Sequence, residues 1–284
     1  MMKLTYRPAV EFPLPVLVEL LNRGFAGYTV KIQFSVSSLL ATIVRDSVNL
    51  EASKVVECDG TRVGIGLIAK RGWQARLAAM CIVTEFRGKR IGRSLLDHFF
   101  GELPKQGVRE LGLEVIESNA MGVSLYQRTG FTTLRRLLSF DCKEPKFQAQ
   151  IEDTLQSQIQ LQPIDIADVA SVLTHHPLPN LPWQLSGTSL MVAGPPHVAY
   201  QHDKASIILS DPSQQAIWIR SLVVEPTYRR QGQAGSLLAT VMNEHPYKNW
   251  SVSAVCPEEI RSLFEKQGFQ LGDISQLQMR KTLG

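Results

Sequence analysis

The sequence predicts an α/β protein of the α+β kind, built from two tandem copies of one fold, each a mixed and mostly antiparallel sheet flanked by helices. Three observations predict it: a word that occurs twice, a second word that keeps nearly the same offset, and one order of elements around both. Ile82-Val83-Thr84-Glu85-Phe86-Arg87-Gly88-Lys89-Arg90-Ile91-Gly92-Arg93-Ser94-Leu95-Leu96 returns as Val224-Glu225-Pro226-Thr227-Tyr228-Arg229-Arg230-Gln231-Gly232-Gln233-Ala234-Gly235-Ser236-Leu237-Leu238. Leu125-Tyr126-Gln127-Arg128-Thr129-Gly130-Phe131 returns as Leu263-Phe264-Glu265-Lys266-Gln267-Gly268-Phe269. The offsets are 142 residues at Arg87 and 138 at Gly130. Two ordered words at nearly one offset are the mark of an internal duplication.

The elements follow in order. Leu14–Arg23 and Val36–Arg45 have helical apolar spacing. Lys54–Cys58 and Thr61–Lys70 flank Asp59-Gly60, a pair suited to a tight hairpin. Ala75–Val83 reads as a strand, and Arg90–Phe100 as a helix with Ile91, Leu95, Leu96 and Phe99 on one side. Glu110–Ile116 is a strand, Ala120–Arg128 a helix stopped at Gly130, and Thr132–Phe140 a closing strand. The second copy is briefer. Ile164–Leu173 is helical, His197–Leu209 a hairpin about Asp203, Ala216–Val224 a strand and Gly232–Asn243 a helix. Ser251–Val255, Pro257–Lys266 and Phe269–Arg280 complete it as strand, helix and strand. Lys143–Gln158 is polar and rich in Gln, which places a first domain over 1–145, a linker over 146–158 and a second domain over 159–284.

Composition narrows the function classes. A 284-residue chain with 44% apolar and 20% charged residues is ordinary globular material for two cores. No apolar run reaches the ~18 residues of a membrane span, and the start lacks the apolar core of a secretory signal. The four cysteines are scattered without a Cys-x-x-Cys spacing, so neither a disulfide framework nor a metal site is expected. A cytoplasmic protein is the expectation. The net charge of +4 does not call for nucleic acid. Its distribution is uneven: residues 1–150 hold 21 Lys+Arg against 14 Asp+Glu, and the rest hold 9 against 12. A basic first half suits a polyanionic small ligand, and an ordinary solvated surface accounts for the same count.

The chemistry lies in the two words. A strand, an Arg/Gly-rich turn and a helix start present unpaired backbone N–H groups and a positive dipole end to an anion such as a diphosphate. A plain helix start reads the same way. The turns resemble the pyrophosphate loop of the GNAT acetyltransferases, Gln/Arg-x-x-Gly-x-Gly/Ala. Arg229-Arg230-Gln231-Gly232-Gln233-Ala234 fits it in full, whereas Arg87-Gly88-Lys89-Arg90-Ile91-Gly92 has Arg90 at the first Gly. The resemblance implies acetyl-CoA as co-substrate. It would be held by Ile82 and Val83 on the strand and by Arg87 to Ser94 in the loop and first helical turn. Val224, Arg229, Arg230, Gln231, Gly232, Gln233, Ala234 and Gly235 are candidates for a second such site.

Leu113-Glu114-Val115, Ser118-Asn119-Ala120, Leu125-Tyr126 and Gly130-Phe131 resemble the ribosomal-protein alanine N-acetyltransferase branch, which spaces a catalytic Glu twelve residues before a catalytic Tyr. The resemblance implies Glu114 as general base, Tyr126 as the acid serving the departing thiolate, and Asn119 against the pantetheine arm. Each residue also has a plainer reading. Glu114 on an apolar strand could be a solvated outward carboxylate, Tyr126 a helix core residue, and Asn119 a helix N-cap. Trp73 and Arg76 face either the acceptor or open water at a hairpin turn. His175-His176 lacks a third neighbouring ligand and reads as a solvated pair. Counted the same way, the second copy has Phe264 for the Tyr, Val252 for the Glu and Pro257 for the Asn. The first domain is therefore expected to be the catalytic one, with an amine acceptor of small-molecule or peptide type. A non-catalytic acyl-CoA-binding regulator and activity in the second domain are the alternatives; nothing in the residues fixes the acceptor or the oligomeric state.

Overall fold

The computed structural model of the protein describes residues 2–143, 160–176 and 178–284, so the linker expected over 146–158 lies outside the described residues. The chain forms two units, one of residues up to Leu134 together with Leu277–Gly284, the other of Arg135–Gln276. The units depart from the sequence halves in one respect. Each contains strand residues that come from the other half of the chain.

The first unit runs β1 (Leu4–Pro8), α1 (Leu14–Gly24), α2 (Val36–Asp46), β2 (Val48–Cys58), β3 (Thr61–Arg71), β4 (Gln74–Ile82), α3 (Ile91–Glu102), β5 (Glu110–Ile116) and α4 (Ala120–Arg128). α1 starts with proline in its first turn and buries Leu17, Leu20 and Leu21. A reciprocal Ser35–Ser38 capping box starts α2, and Ser47 ends it in the left-handed region. Asp59 and Gly60 both take positive φ, which matches the twist of the β2–β3 hairpin. β3 is central and buried at Val63, Ile65, Leu67, Ile68 and Ala69, and Phe99 of α3 packs on Gly66, where a Cβ would come within 2.7 Å of its ring.

β1 to β4 pair antiparallel. The β3–β4 register slips between Leu67 and Ile68, leaving Ala78 as a bulge residue. β5 then joins β4 in parallel over three pairs, Gln74–Glu110, Ala75–Leu111 and Arg76–Gly112. The two strands run on to Ile82 and Ile116 beyond that ladder, so they open a fork. The far side of β5 is lined by the end of the last strand, β12 (Gln270–Thr282): Leu283 N–H donates to Arg109 at 2.8 Å and Arg280 pairs with Glu110 at 3.2 Å.

The second unit holds β6 (Thr132–Cys142) from Arg135 onward, β7 (Gln162–Ile164), α5 (Ile166–His175), α6 (Gly187–Leu190), β8 (Val198–His202), β9 (Ala205–Leu209), β10 (Ala216–Val224), α7 (Gln233–Glu244), β11 (Asn249–Pro257), α8 (Arg261–Lys266) and β12 up to Gln276. Its core gathers Phe140, Leu237, Leu238, Trp250 and Phe264. β10 bulges at Arg220, the counterpart of Ala78, and pairs with β11 in parallel only as far as Ile219–Val252. The duplication is thus one of geometry as well as of words. α8 begins at Arg261 rather than Pro257, because Glu258–Ile260 make a 3-10 turn first.

Candidate active site

The fork and the turn before α3 shape the site in the first unit. Val83 N–H donates to Val63 of β3 at 2.9 Å, so by strand alternation the Ile82 amide is directed toward β5. Val83 itself is buried. Arg87 lies across the turn: Nε donates to the Ile82 carbonyl at 3.0 Å, and Nη2 reaches the carbonyls of Gly24 at 2.8 Å and Ala26 at 3.3 Å. Its guanidinium fastens the turn to the strand and to the end of α1. Gly88 (φ +75°) and Arg90 (φ +63°) are both left-handed, and the first intrahelical bond of α3 is Ser94 N–H to Arg90 O at 3.0 Å. The amides of Ile91, Gly92 and Arg93 precede that bond and have no helical acceptor. They form the open edge of the turn.

Not every residue of the turn faces it. Arg93 folds back along α3 to Asp97 at 3.0 Å, Lys89 lies 4.5 Å over the Phe86 ring, and Ser94 Oγ meets the Tyr6 hydroxyl at 2.6 Å. Arg90 holds a conformation that glycine adopts freely, at a cost of about 1–2 kcal/mol for other residues. Arg90→Gly is therefore expected to stabilise the protein by about 0.5 kcal/mol or more after the added chain entropy is subtracted. Urea midpoints at constant slope measure it, and an unchanged or lower midpoint would show that the Arg90 side chain offsets its own strain.

α4 carries the second word. Asn119 is its N-cap, accepting from Gly122 N–H at 3.1 Å, while Asn119 Nδ2 donates to the Tyr28 hydroxyl at 3.2 Å. Tyr126 is buried, edge-on to Phe131 at 5.7 Å. Burial, and the neighbouring Tyr28 and Cys81, raise the Tyr126 hydroxyl above the usual tyrosine range, which keeps it protonated. Burial likewise pushes the Cys81 thiol up to about 12. Cys81 faces α1, and a Cβ on Gly24 would overlap its side chain.

These shifts have a stability consequence. A folded pKa above the unfolded one means that the native state keeps protons the unfolded chain releases, so stability falls as pH rises through the interval. Thermal midpoints are expected to be flat below pH about 9, the ordinary cysteine value, and to fall progressively toward pH about 12. A midpoint constant to pH about 11 would show that Cys81 is solvated in the native state.

Glu114 is not the solvated outward carboxylate of the plainer reading. Its side chain is 4% exposed and Oε2 accepts from Arg76 Nε at 2.6 Å. Arg76 Nη1 continues to Asp46 at 3.3 Å, and Asp46 also holds Arg45 at 2.8 Å. The same contacts place Arg76 inward, away from the exposed Trp73. Tyr28, Asp46 and Cys81 were missed by sequence reasoning. Asp46 had a signal: an acid in the last turn of a helix opposes the dipole and calls for a cationic partner.

The second unit repeats the frame with different side chains at the corresponding positions. Arg229 Nε donates to Val224 O at 3.0 Å and Ser236 N–H to Gly232 O at 3.0 Å, with Arg230 (φ +65°) and Gly232 (φ +83°) left-handed. Gln231 turns to Thr227 O and Gln233 accepts from Lys204 N–H, both at 3.3 Å. Phe264 replaces Tyr126, edge-on to Phe269 at 5.4 Å and stacked on Phe140 at 5.1 Å. Strand pairing refines one correspondence. Gly112 lies opposite Arg76 and Ser251 opposite Trp218, so Glu114 corresponds to Ser253, one place from the Val252 that counting back from Phe264 reaches. Neither is a carboxylate. No helix among the described residues is long and apolar enough to cross a membrane, and no three His, Cys, Asp or Glu side chains among them cluster to hold a metal.

Residues 51–133 match the family model of the acetyltransferase (GNAT) domain. Over 65 residues, 22% of this chain, it is 40% identical to the [ribosomal protein bS18]-alanine N-acetyltransferase of Escherichia coli strain K12; that stretch is 44% of the relative, less than half its length. Across 99% of its length the chain resembles the crystal structure of a GCN5-related N-acetyltransferase from Sphaerobacter thermophilus, 96% of which is covered, at a TM-score of 0.67 and 13% identity. It also resembles a tandem GNAT protein from the clavulanic acid biosynthesis pathway, at a TM-score of 0.60 and 13% identity, over 100% of this chain and 99% of that one. Residues 51–133 thus carry an acetyltransferase (GNAT) domain, and the chain as a whole has the fold of a tandem GNAT protein.

Proposed function

We propose that this protein transfers the acetyl group of acetyl-CoA to a primary amine, by direct attack, in its first unit. The observation that carries the reading is the coincidence, in that unit alone, of the β4–β5 fork with Glu114, Asn119 and Tyr126. The second unit keeps the fork and the anion-facing turn but has Ser253, Pro257 and Phe264. The fork offers strand edges to a pantetheine arm, and the α3 start offers amides to a diphosphate.

The amine nitrogen attacks the thioester carbonyl carbon, and an amide directed from β4, near Ile82 or the Ala78 bulge, stabilises the oxygen that gains charge. Glu114 takes the ammonium proton through water. As the carbon–sulfur bond breaks, Tyr126 gives the sulfur a hydrogen bond and then a proton, which its neutral form can supply. The acceptor class follows the relative, whose name specifies an alanine of a ribosomal protein: a peptide or protein N-terminus is the first candidate and a small-molecule amine the second.

Thiol release from acetyl-CoA across a panel of peptides, amines and aminoglycosides, with mass detection of a 42-Da gain on the acceptor (roughly one acetyl group), tests this. The reading expects release with at least one amine, dependent on Glu114 and Tyr126. Acetyl-CoA binding without release on any amine, in cell extract as well as on the panel, would instead make the protein a non-catalytic acyl-CoA binder.

A further inference from the structure

We propose that Arg76 is a positioning residue for acetyl transfer, the middle member of a buried chain Asp46–Arg76–Glu114 that fixes the orientation of the Glu114 carboxylate at the base of the fork. The proposal rests on the acetyl-transfer reading above. Its geometry spans three elements. Asp46 is the last residue of α2, Arg76 pairs with Gly112 at the final rung of the β4–β5 ladder, and Glu114 stands two residues past that rung on the same face. The three side chains are 3%, 9% and 4% exposed, with contacts of 3.3 and 2.6 Å.

Stability alone is a weak reason for such a chain. A buried ion pair seldom outperforms apolar residues of similar volume, because both charges lose their hydration. The second copy shows the alternative: the position of Arg76 is Trp218, and that of Glu114 is Ser253, in the unit that also has Phe264 for the tyrosine and Pro257 for the asparagine. The charged pair is present where the other chemical residues are present and absent where they are absent. Arg76 supplies what a base needs before it can act through a water. Nε grips one carboxylate oxygen, and the grip of Asp46 on Nη1 stops the guanidinium from rotating away.

The experiment compares wild type, Arg76→Met, Arg76→Lys, Glu114→Gln and the Arg76→Met/Glu114→Gln pair, by thiol release on an accepted amine. Arg76→Met is expected to lower kcat by about 10²-fold, the size of a 1 Å misplacement at a reacting group. KM for acetyl-CoA should stay within about twofold, since the diphosphate turn is untouched. Arg76→Lys should recover part of the loss. The double variant should be no slower than Glu114→Gln alone, because Arg76 acts only through Glu114. A purely structural role predicts losses that add. If Arg76→Met does not fold, Arg76→Lys and Asp46→Asn carry the test with the same split between kcat and KM. A folded Arg76→Met at wild-type turnover, or an additive double variant, overturns the proposal. Wild-type silence across the panel is a different failure, since it removes the acetyl-transfer reading itself.

Discussion

Gly92→Glu is expected to abolish acetyl transfer in a protein that still folds. Gly92 sits in the first turn of α3, where an added Cβ would lie 3.4 Å from Leu125 Cδ2 and 3.9 Å from Ile82 and Met80 side chains. A glutamate there projects toward the fork and sets a negative charge beside the amides that would hold a diphosphate. The same change favours the helix: it removes a glycine and adds an acid near the positive end of the dipole. Lost activity with an unchanged or raised thermal midpoint is therefore the expected signature, with acetyl-CoA binding lost by calorimetry. Retained binding would move the diphosphate away from the α3 start.

Tyr126→Phe is expected to lower kcat by about 10²-fold or more while acetyl-CoA affinity stays near wild type. The ring carries the packing against Phe131, which phenylalanine reproduces, as Phe264 does against Phe269 in the second unit. What goes is the hydroxyl that burial keeps protonated. Single-turnover measurement isolates the chemical step. A Tyr126→Phe enzyme with an unchanged single-turnover rate would return Tyr126 to a packing role.

Much of this was legible in the sequence because it is written locally. The Asp59-Gly60 turn, the Asn119 cap and the apolar faces of α3 and α4 depend on residues within a few positions of one another. The doubled words carried the repeat of the frame, whereas the matching bulges at Ala78 and Arg220 lie outside those words and show only in the strand registers. Contacts between distant residues were not legible. Nothing in the sequence ties Tyr28 to Asn119, Asp46 to Arg76, or the residues after Leu277 to the first unit, since each is a pairing across tens or hundreds of positions. Arg90 shows a third case. Its departure from glycine was visible, but its left-handed backbone, which lets the turn keep its form, was not.

The central claim is that the first unit does the chemistry and the second does not. Turnover of Ala234→Glu beside Gly92→Glu tests it most directly, because the two substitutions place the same charge at the same position of the two turns. The account predicts that Ala234→Glu keeps most of the wild-type rate and at most gives up a second bound acetyl-CoA, while Gly92→Glu has none. Activity that survives Gly92→Glu and dies in a folded Ala234→Glu protein would contradict it and move the reaction to the second unit.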